Sequence, residues 1–169
     1  MTDKQLLILN SQQIQQKIDR IAYQILEDNF DEEEIVIAGI LPSGNKIARR
    51  LKNILDKIAP FKSTLIGIEL DKQSTSLNAK IDFDLQDCTD KVVILVDDVL
   101  NSGKAIAYGF GVFLDVPLKK LRTAVLIDRN HKKFPMTTDF AGMALSTVLK
   151  EFVDVVLDEE GEEDAVYLR

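Results

Sequence analysis

The chain has 169 residues, 46% of them hydrophobic and 29% charged, the profile of a single globular domain with a sizeable core. Its net charge of −7 disfavours a generic nucleic-acid binder, and its one cysteine, Cys88, excludes an intrachain disulfide and fits a reducing, cytoplasmic compartment. No stretch approaches 18 consecutive apolar residues, and MTDKQLLILN carries no convincing cleavage site, so neither a membrane span nor a signal peptide is expected.

In chain order, residues 12–26 place Ile14, Ile18, Ile21, Ala22 and Ile25 at helical spacing, with Ser11 positioned to cap the start. After a polar break, IVIAGI (35–40) predicts a buried parallel strand. Pro42, Ser43 and Gly44 are turn chemistry, and residues 45–58 repeat Ile47, Ala48, Leu51, Ile54 and Leu55 at helical spacing. TLIGIEL (64–70) predicts a second strand. Residues 71–80 are polar without an apolar period and predict a mobile loop. KVVILV (91–96) is the strongest strand signal, and residues 104–114 predict a helix with two interior glycines. RTAVLI (122–127) predicts a further strand and FVDVVL (152–157) the last. Strands alternating with helices predict an α/β fold whose mostly parallel central sheet is flanked by helices.

Ligands of open α/β sheets sit at the carboxyl ends of the strands. Here the strand 92–96 is expected to end in Asp97-Asp98, two adjacent carboxylates that repel unless hydroxyls, magnesium or cations offset them. Asn101-Ser102-Gly103-Lys104 then leads into a helix, whose N-terminus offers free N–H groups and positive dipole to a phosphate. Each piece alone is an ordinary strand end or turn. In this order they describe a holder for ribose 5-phosphate, distinct from a Walker loop, which needs more residues between its glycines and a Lys-Ser/Thr pair.

The run Val93-Ile94-Leu95-Val96-Asp97-Asp98-Val99-Leu100-Asn101-Ser102-Gly103-Lys104 resembles the signature of the type I phosphoribosyltransferases. Arg20-Ile21-Ala22, Ala38-Gly39-Ile40 with Gly44, Glu69-Leu70-Asp71, residues 124–131 and the acidic tail from Asp158 resemble one branch, the pyrimidine-operon attenuator/uracil phosphoribosyltransferases. The resemblance implies one domain over residues 1–169, with a small hood from the terminal segments. It implies displacement at the anomeric carbon of phosphoribosyl pyrophosphate (PRPP) by a nucleobase, uracil or another pyrimidine, with magnesium arriving on the pyrophosphate. Asp97 and Asp98 would be the catalytic pair on the ribose hydroxyls. Asn101, Ser102, Gly103, Lys104 and Ala105 would hold the 5′-phosphate, and Leu41, Pro42, Ser43 and Gly44 the pyrophosphate. Asp128, Arg129 and Phe140 would lie near the base, and the loop opening with Asp71 and Lys72 would close over the site. A homodimer or higher homo-oligomer is implied as well.

The chain departs from that pattern in four places. Pro42-Ser43 stands where relatives place a basic residue before the glycine, and Ala105 where they place threonine or serine. The loop reads Lys72-Gln73-Ser74-Thr75-Ser76, and the base-side segment reads Gly142-Met143-Ala144-Leu145-Ser146 without a lysine. The alternative function is therefore a catalytically weakened regulator that binds PRPP or nucleotides, with RNA as a further partner. A flavodoxin-like nucleotide binder explains neither the acid pair nor the element order. His131 could serve as a base or face solvent in a loop. Cys88 is expected to be structural, Arg49-Arg50 and Lys119-Lys120 to be solvated faces or subunit contacts, and structural zinc is not expected.

Overall fold

The computed structural model describes residues 5–71, 78–148, 150–159, 161 and 163–169. The elements run β1 (Leu6–Leu9), α1 (Ser11–Asn29), β2 (Glu34–Ile40), α2 (Ser43–Ile58), β3 (Lys62–Leu70), β4 (Ala79–Lys80), β5 (Val92–Leu100), α3 (Lys104–Val112), β6 (Lys120–Asp128), β7 (Phe140–Ala144), β8 (Val153–Val156) and β9 (Ala165–Leu168). The main sheet has the order β4-β3-β2-β5-β6-β7, parallel throughout except for β4. Among the described residues, no helix is long and apolar enough to cross a membrane.

Side-chain alternation sorts the sheet into two layers. Ile35, Ile37, Ile94 and Val96 pack under Ile14, Ile18 and Ile21 of α1 and Ile47 and Leu51 of α2. Val36, Ala38, Val93 and Leu95 pack on the other face with Ile106 and Phe113. The helix α1 is capped by Asn10 rather than Ser11: Gln13 N–H donates to Asn10 Oδ1 (2.9 Å) and Asn10 N–H to Gln13 Oε1 (3.0 Å), a reciprocal box that leaves Ser11 as the first helical residue.

Several boundaries differ from the sequence reading, each for a visible reason. α2 starts at Ser43, two residues earlier than the apolar period suggests, because Pro42 is itself helical (φ −88°, ψ −40°). β5 does not end at Asp97-Asp98 but runs on to Leu100, because β6 is long enough to pair with it as far as Leu100↔Asp128. Strict alternation breaks across the acids, since Val96 and Val99 both belong to the α1/α2 layer. Part of the expected loop 71–80 is a hairpin base: Glu69 pairs with Lys80 and Leu70 with Ala79, and Asp71 N–H donates to Asn78 O (3.0 Å). Lys72 and the rest of the loop through residue 77 lie outside the described residues. Phe140, expected near the base, opens the edge strand β7, held to α1 by the Arg20 guanidinium on the Ala141 and Gly142 carbonyls.

The expected last strand β8 is followed by β9, and β1, β9 and β8 form an antiparallel three-stranded hood. Arg50 clamps it to α2. Its guanidinium donates to Asp164, 5% exposed, and to the Asp158 carbonyl (2.8 Å), while Asp158 N–H donates to Asp164 Oδ1 (3.0 Å). Arg50 is thus an intramolecular strut, not a solvated face. Lys119 and Lys120 likewise pair within the chain, with Glu32 and Asp28.

Two outcomes follow from these ion pairs. Asp164→Asn leaves the Arg50 charge without its carboxylate and should lower unfolding free energy by about 3 kcal/mol in urea titration, whereas Arg50→Met/Asp164→Leu should lose clearly less. Burial alone would raise the Asp28 carboxyl, but hydrogen bonds from Lys120 and Arg122 outweigh it and hold it below the ordinary carboxylate value. A depressed folded pKa stabilises above the unfolded value and is lost as pH falls. Asp28→Asn should therefore cost about 0.5–1 kcal/mol at pH 7, a difference that fades in urea titrations below about pH 4.

Candidate functional site

The site is built where two helices begin beside the end of β5. At the first, only Leu41 and Pro42 separate β2 from α2, with Leu41 N–H bonded to Ile68 O (2.9 Å) and a cis Leu41–Pro42 peptide. Ser43 and Gly44 form the first turn of α2. Gly44 is buried against β5: a Cβ there would lie 2.6 Å from Val96 O, 2.8 Å from Asp97 Cα and 3.1 Å from Asp97 Oδ1. At the second, the turn 101–103 enters α3 through Gly103 in the left-handed region (φ +86°). Ser102 O accepts Lys133 N–H (2.7 Å) and Phe134 N–H (2.9 Å), which pins the turn, and Ser102 Oγ accepts Lys104 N–H (3.2 Å). Among the described residues, no partner takes the amides of Ala105 and Ile106. They lie at the positive end of α3, the arrangement that binds anions.

Asp97, 4% exposed, and half-buried Asp98 sit between these helix starts. Asp97 Oδ1 accepts Asp98 N–H (2.9 Å), and Asp98 Oδ1 accepts Val99 N–H (2.8 Å). Backbone donors and nearby dipoles thus support two neighbouring carboxylates. Leu70, Asp97, Asp98, Asn101, Ser102, Lys104, Ala105 and Tyr108 line one cavity of about 230 Å³. That is smaller than the roughly 300–1,000 Å³ typical of a drug-sized ligand site and suits one sugar phosphate.

The base-side residues are arranged differently from the sequence reading. Arg129, 7% exposed, does not face a ligand. Its Nε donates to Thr147 Oγ1 (2.7 Å), and its terminal nitrogens donate to Asn101 Oδ1 (3.3 Å), Val148 O (3.3 Å) and Glu151 O. It straps the phosphate turn to Thr147, Val148 and Glu151. Phe140, 8% exposed, packs in the α1/α2 core layer, since β7 turns it inward. Asp128 is half-buried and accepts Asn130 N–H (3.0 Å) and Thr138 Oγ1–H (3.2 Å). Asp71 is exposed and does not line the cavity. His131 is not a freely solvated loop residue, since its Nε2 meets Thr147 O. Burial pushes the Cys88 thiol up, which suits a packing residue rather than a nucleophile.

Two aromatic residues near the site were not singled out from sequence. Tyr108 lines the cavity. Phe152, 58% exposed, stands with its ring centroid 5.7 Å from the Arg129 guanidinium carbon. Phe152 heads an apolar strand run, and periodicity alone assigns such a residue to the core.

Residues 5–159 match the phosphoribosyl transferase domain. The chain belongs to the phosphoribosyltransferase family. Among curated relatives, it is 33% identical over 177 residues to the bifunctional protein PyrR of Fusobacterium nucleatum, covering 99% of this chain and all of that one. It is 31% identical over 171 residues to the bifunctional protein PyrR of Staphylococcus aureus, covering 96% and 98%. The expected kinship with the attenuator/uracil phosphoribosyltransferase branch therefore holds. Among solved structures, a hypoxanthine-guanine phosphoribosyltransferase of Bacillus anthracis superposes with a TM-score of 0.72 at 26% identity, over 88% of this chain and 84% of that one. The hypoxanthine phosphoribosyltransferase of Trypanosoma cruzi shares the fold, with a TM-score of 0.76 at 18% identity over 96% and 95%.

In this phosphoribosyltransferase, the approach of α2 to β5 leaves no room for a side chain at position 44. Gly44→Ala should lower the urea midpoint, with a loss of about 1–3 kcal/mol from overpacking. A wild-type midpoint would show that the two backbones part easily.

Proposed function

We propose that the protein transfers the 5-phosphoribosyl group of PRPP to a nucleobase, a pyrimidine such as uracil, and releases pyrophosphate. The C1′–oxygen bond to pyrophosphate breaks, a C1′–nitrogen bond forms, and the base nitrogen gives up its proton. The observation that carries this reading is the meeting of two helix N-termini and two carboxylates at the end of β5. Asp97 and Asp98 accept hydrogen bonds from the ribose 2′- and 3′-hydroxyls and stabilise positive charge developing on the ring. The amides of Ala105 and Ile106, with Ser102, Gly103, Lys104 and the Asn101 turn, hold the 5′-phosphate. The first turn of α2, with Leu41, Pro42, Ser43 and Gly44, receives the pyrophosphate through backbone N–H groups. Asp71 and Lys72 belong to the segment that closes the site.

The base is read on the hood side. Phe152 offers an exposed ring for it to stack on, and Asp128 closes β6. Arg129 and Phe140 act from behind, Arg129 as the strap and Phe140 as core support. The described residues hold no cluster of three or more metal-ligating side chains. Magnesium carried by substrate phosphates needs only one or two carboxylates, which Asp97 and Asp98 would supply. Held there, the ion would supply charge neutralisation on the pyrophosphate.

A second reading, a regulator that binds PRPP or nucleotides together with RNA, draws on the word bifunctional in the relatives' names. Against a broad RNA face, Lys52, Lys91, Lys119, Lys120 and Arg122 all pair with acids of this chain.

Titration calorimetry with PRPP and magnesium should show binding by the wild type and at least about tenfold weaker binding by Asp97→Asn/Asp98→Asn, from lost charge-assisted hydrogen bonds. Pyrophosphate release should appear with one base of a panel. Unchanged binding by the double variant would move the site elsewhere, and binding without release for any base would favour the regulator.

A further inference from the structure

Resting on the reading of this cavity as the PRPP site, we propose that Tyr108 is a positioning residue: its ring seats the Lys104 ammonium over the 5′-phosphate cradle. Lys104 is the first residue of α3 and Tyr108 lies one turn on, so their side chains share a helix face. Lys104 Nζ stands 5.3 Å from the Tyr108 ring centroid, inside the range of a cation–π contact. Both residues line the cavity.

The local chemistry makes that seat consequential. Ala105, between them, brings no hydroxyl to the cradle. Ser102 Oγ is engaged by Lys104 N–H. Lys104 is therefore the cationic side chain among the described residues lining the cavity. A lysine has a long, freely rotating stem, and ordering it on binding subtracts from affinity. The contact with the ring contributes to ordering it beforehand. Tyr108 is half-buried and belongs to neither layer of the hydrophobic core.

The test is calorimetry with PRPP and magnesium on the full chain, with proton NMR of the ligand-free protein alongside. Tyr108→Leu should weaken PRPP binding about three- to tenfold, and Tyr108→Phe should restore it to within about twofold. In a Lys104→Met background, Tyr108→Leu should have no further effect. The Lys104 ε-methylene protons should be shifted upfield by the ring current in the wild type and Tyr108→Phe, and return to ordinary values in Tyr108→Leu. Wild-type affinity in Tyr108→Leu would overturn the assignment, as would an equal loss in the Lys104→Met background. If the wild type itself fails to bind PRPP, the reading of the site falls and this role falls with it. Binding by the wild type with an indifferent Tyr108→Leu overturns the role alone.

Discussion

The site depends on how closely the start of α2 approaches the end of β5. An added Cβ at Gly44 would meet Val96 O at 2.6 Å and Asp97 Cα at 2.8 Å, distances that real atoms do not keep. A second tight contact sits just before it, where a Cβ at Gly39 would lie 2.5 Å from Asn45 Cα. Together they let the helix start with only two residues between it and the strand. The positive end of α2 is thereby delivered against Asp97 rather than several ångströms away, and helix-end effects fade within one turn.

That proximity explains how a buried acid pair is tolerated. Adjacent carboxylates in an apolar strand would repel each other and suffer desolvation. Here each accepts a backbone N–H, and the starts of α2 and α3 lie beside them. The second helix start is held by bonds from outside the turn: Ser102 O takes two amides from residues 133–134, and Arg129 ties Asn101 to Thr147, Val148 and Glu151. The cradle is preorganised by groups that line no part of it. Fixed dipoles that need no rearrangement are the kind that stabilise developing charge.

The parallel core was legible because its signals are local. Residues 35–40 and 92–96 are short β-branched runs, and the α1 and α2 periods are unbroken, so those elements and the acid–turn–helix order could be read directly. The hood was harder. β1 and β9 are four residues each and are strands because they pair with one another across the whole chain. Arg129 and Phe140 mark the same limit within the site. Sequence puts them at the end of β6 and in the segment after it, but whether a side chain there turns to a ligand or to the core depends on which strand lies beside it. Phe152 is the converse: an apolar residue in a strand-like run whose ring the hood leaves in solvent.

The departures in the turns bear on what the fold can do with a highly charged substrate. At the start of α2, Pro42 and Ser43 add no cation and Lys46 Nζ donates to Leu157 O (3.0 Å), so the protein's contribution there is mainly backbone dipole, about 0.3–1 kcal/mol for an exposed charge and up to about 2 in a partly buried one. A charge-assisted side-chain contact contributes about 1.5–3 kcal/mol. On the proposed reading, the pyrophosphate end is held mainly by dipoles and by the magnesium it carries. The 5′-phosphate end keeps a cation, Lys104, seated on Tyr108. The two ends of PRPP should then differ in what their binding depends on: one on metal, the other on a single ordered lysine. An acidic protein of net charge −7 can hold a polyanion in this way, because helix ends and one ammonium meet its phosphates at contact distance, while salt screens distant surface acids.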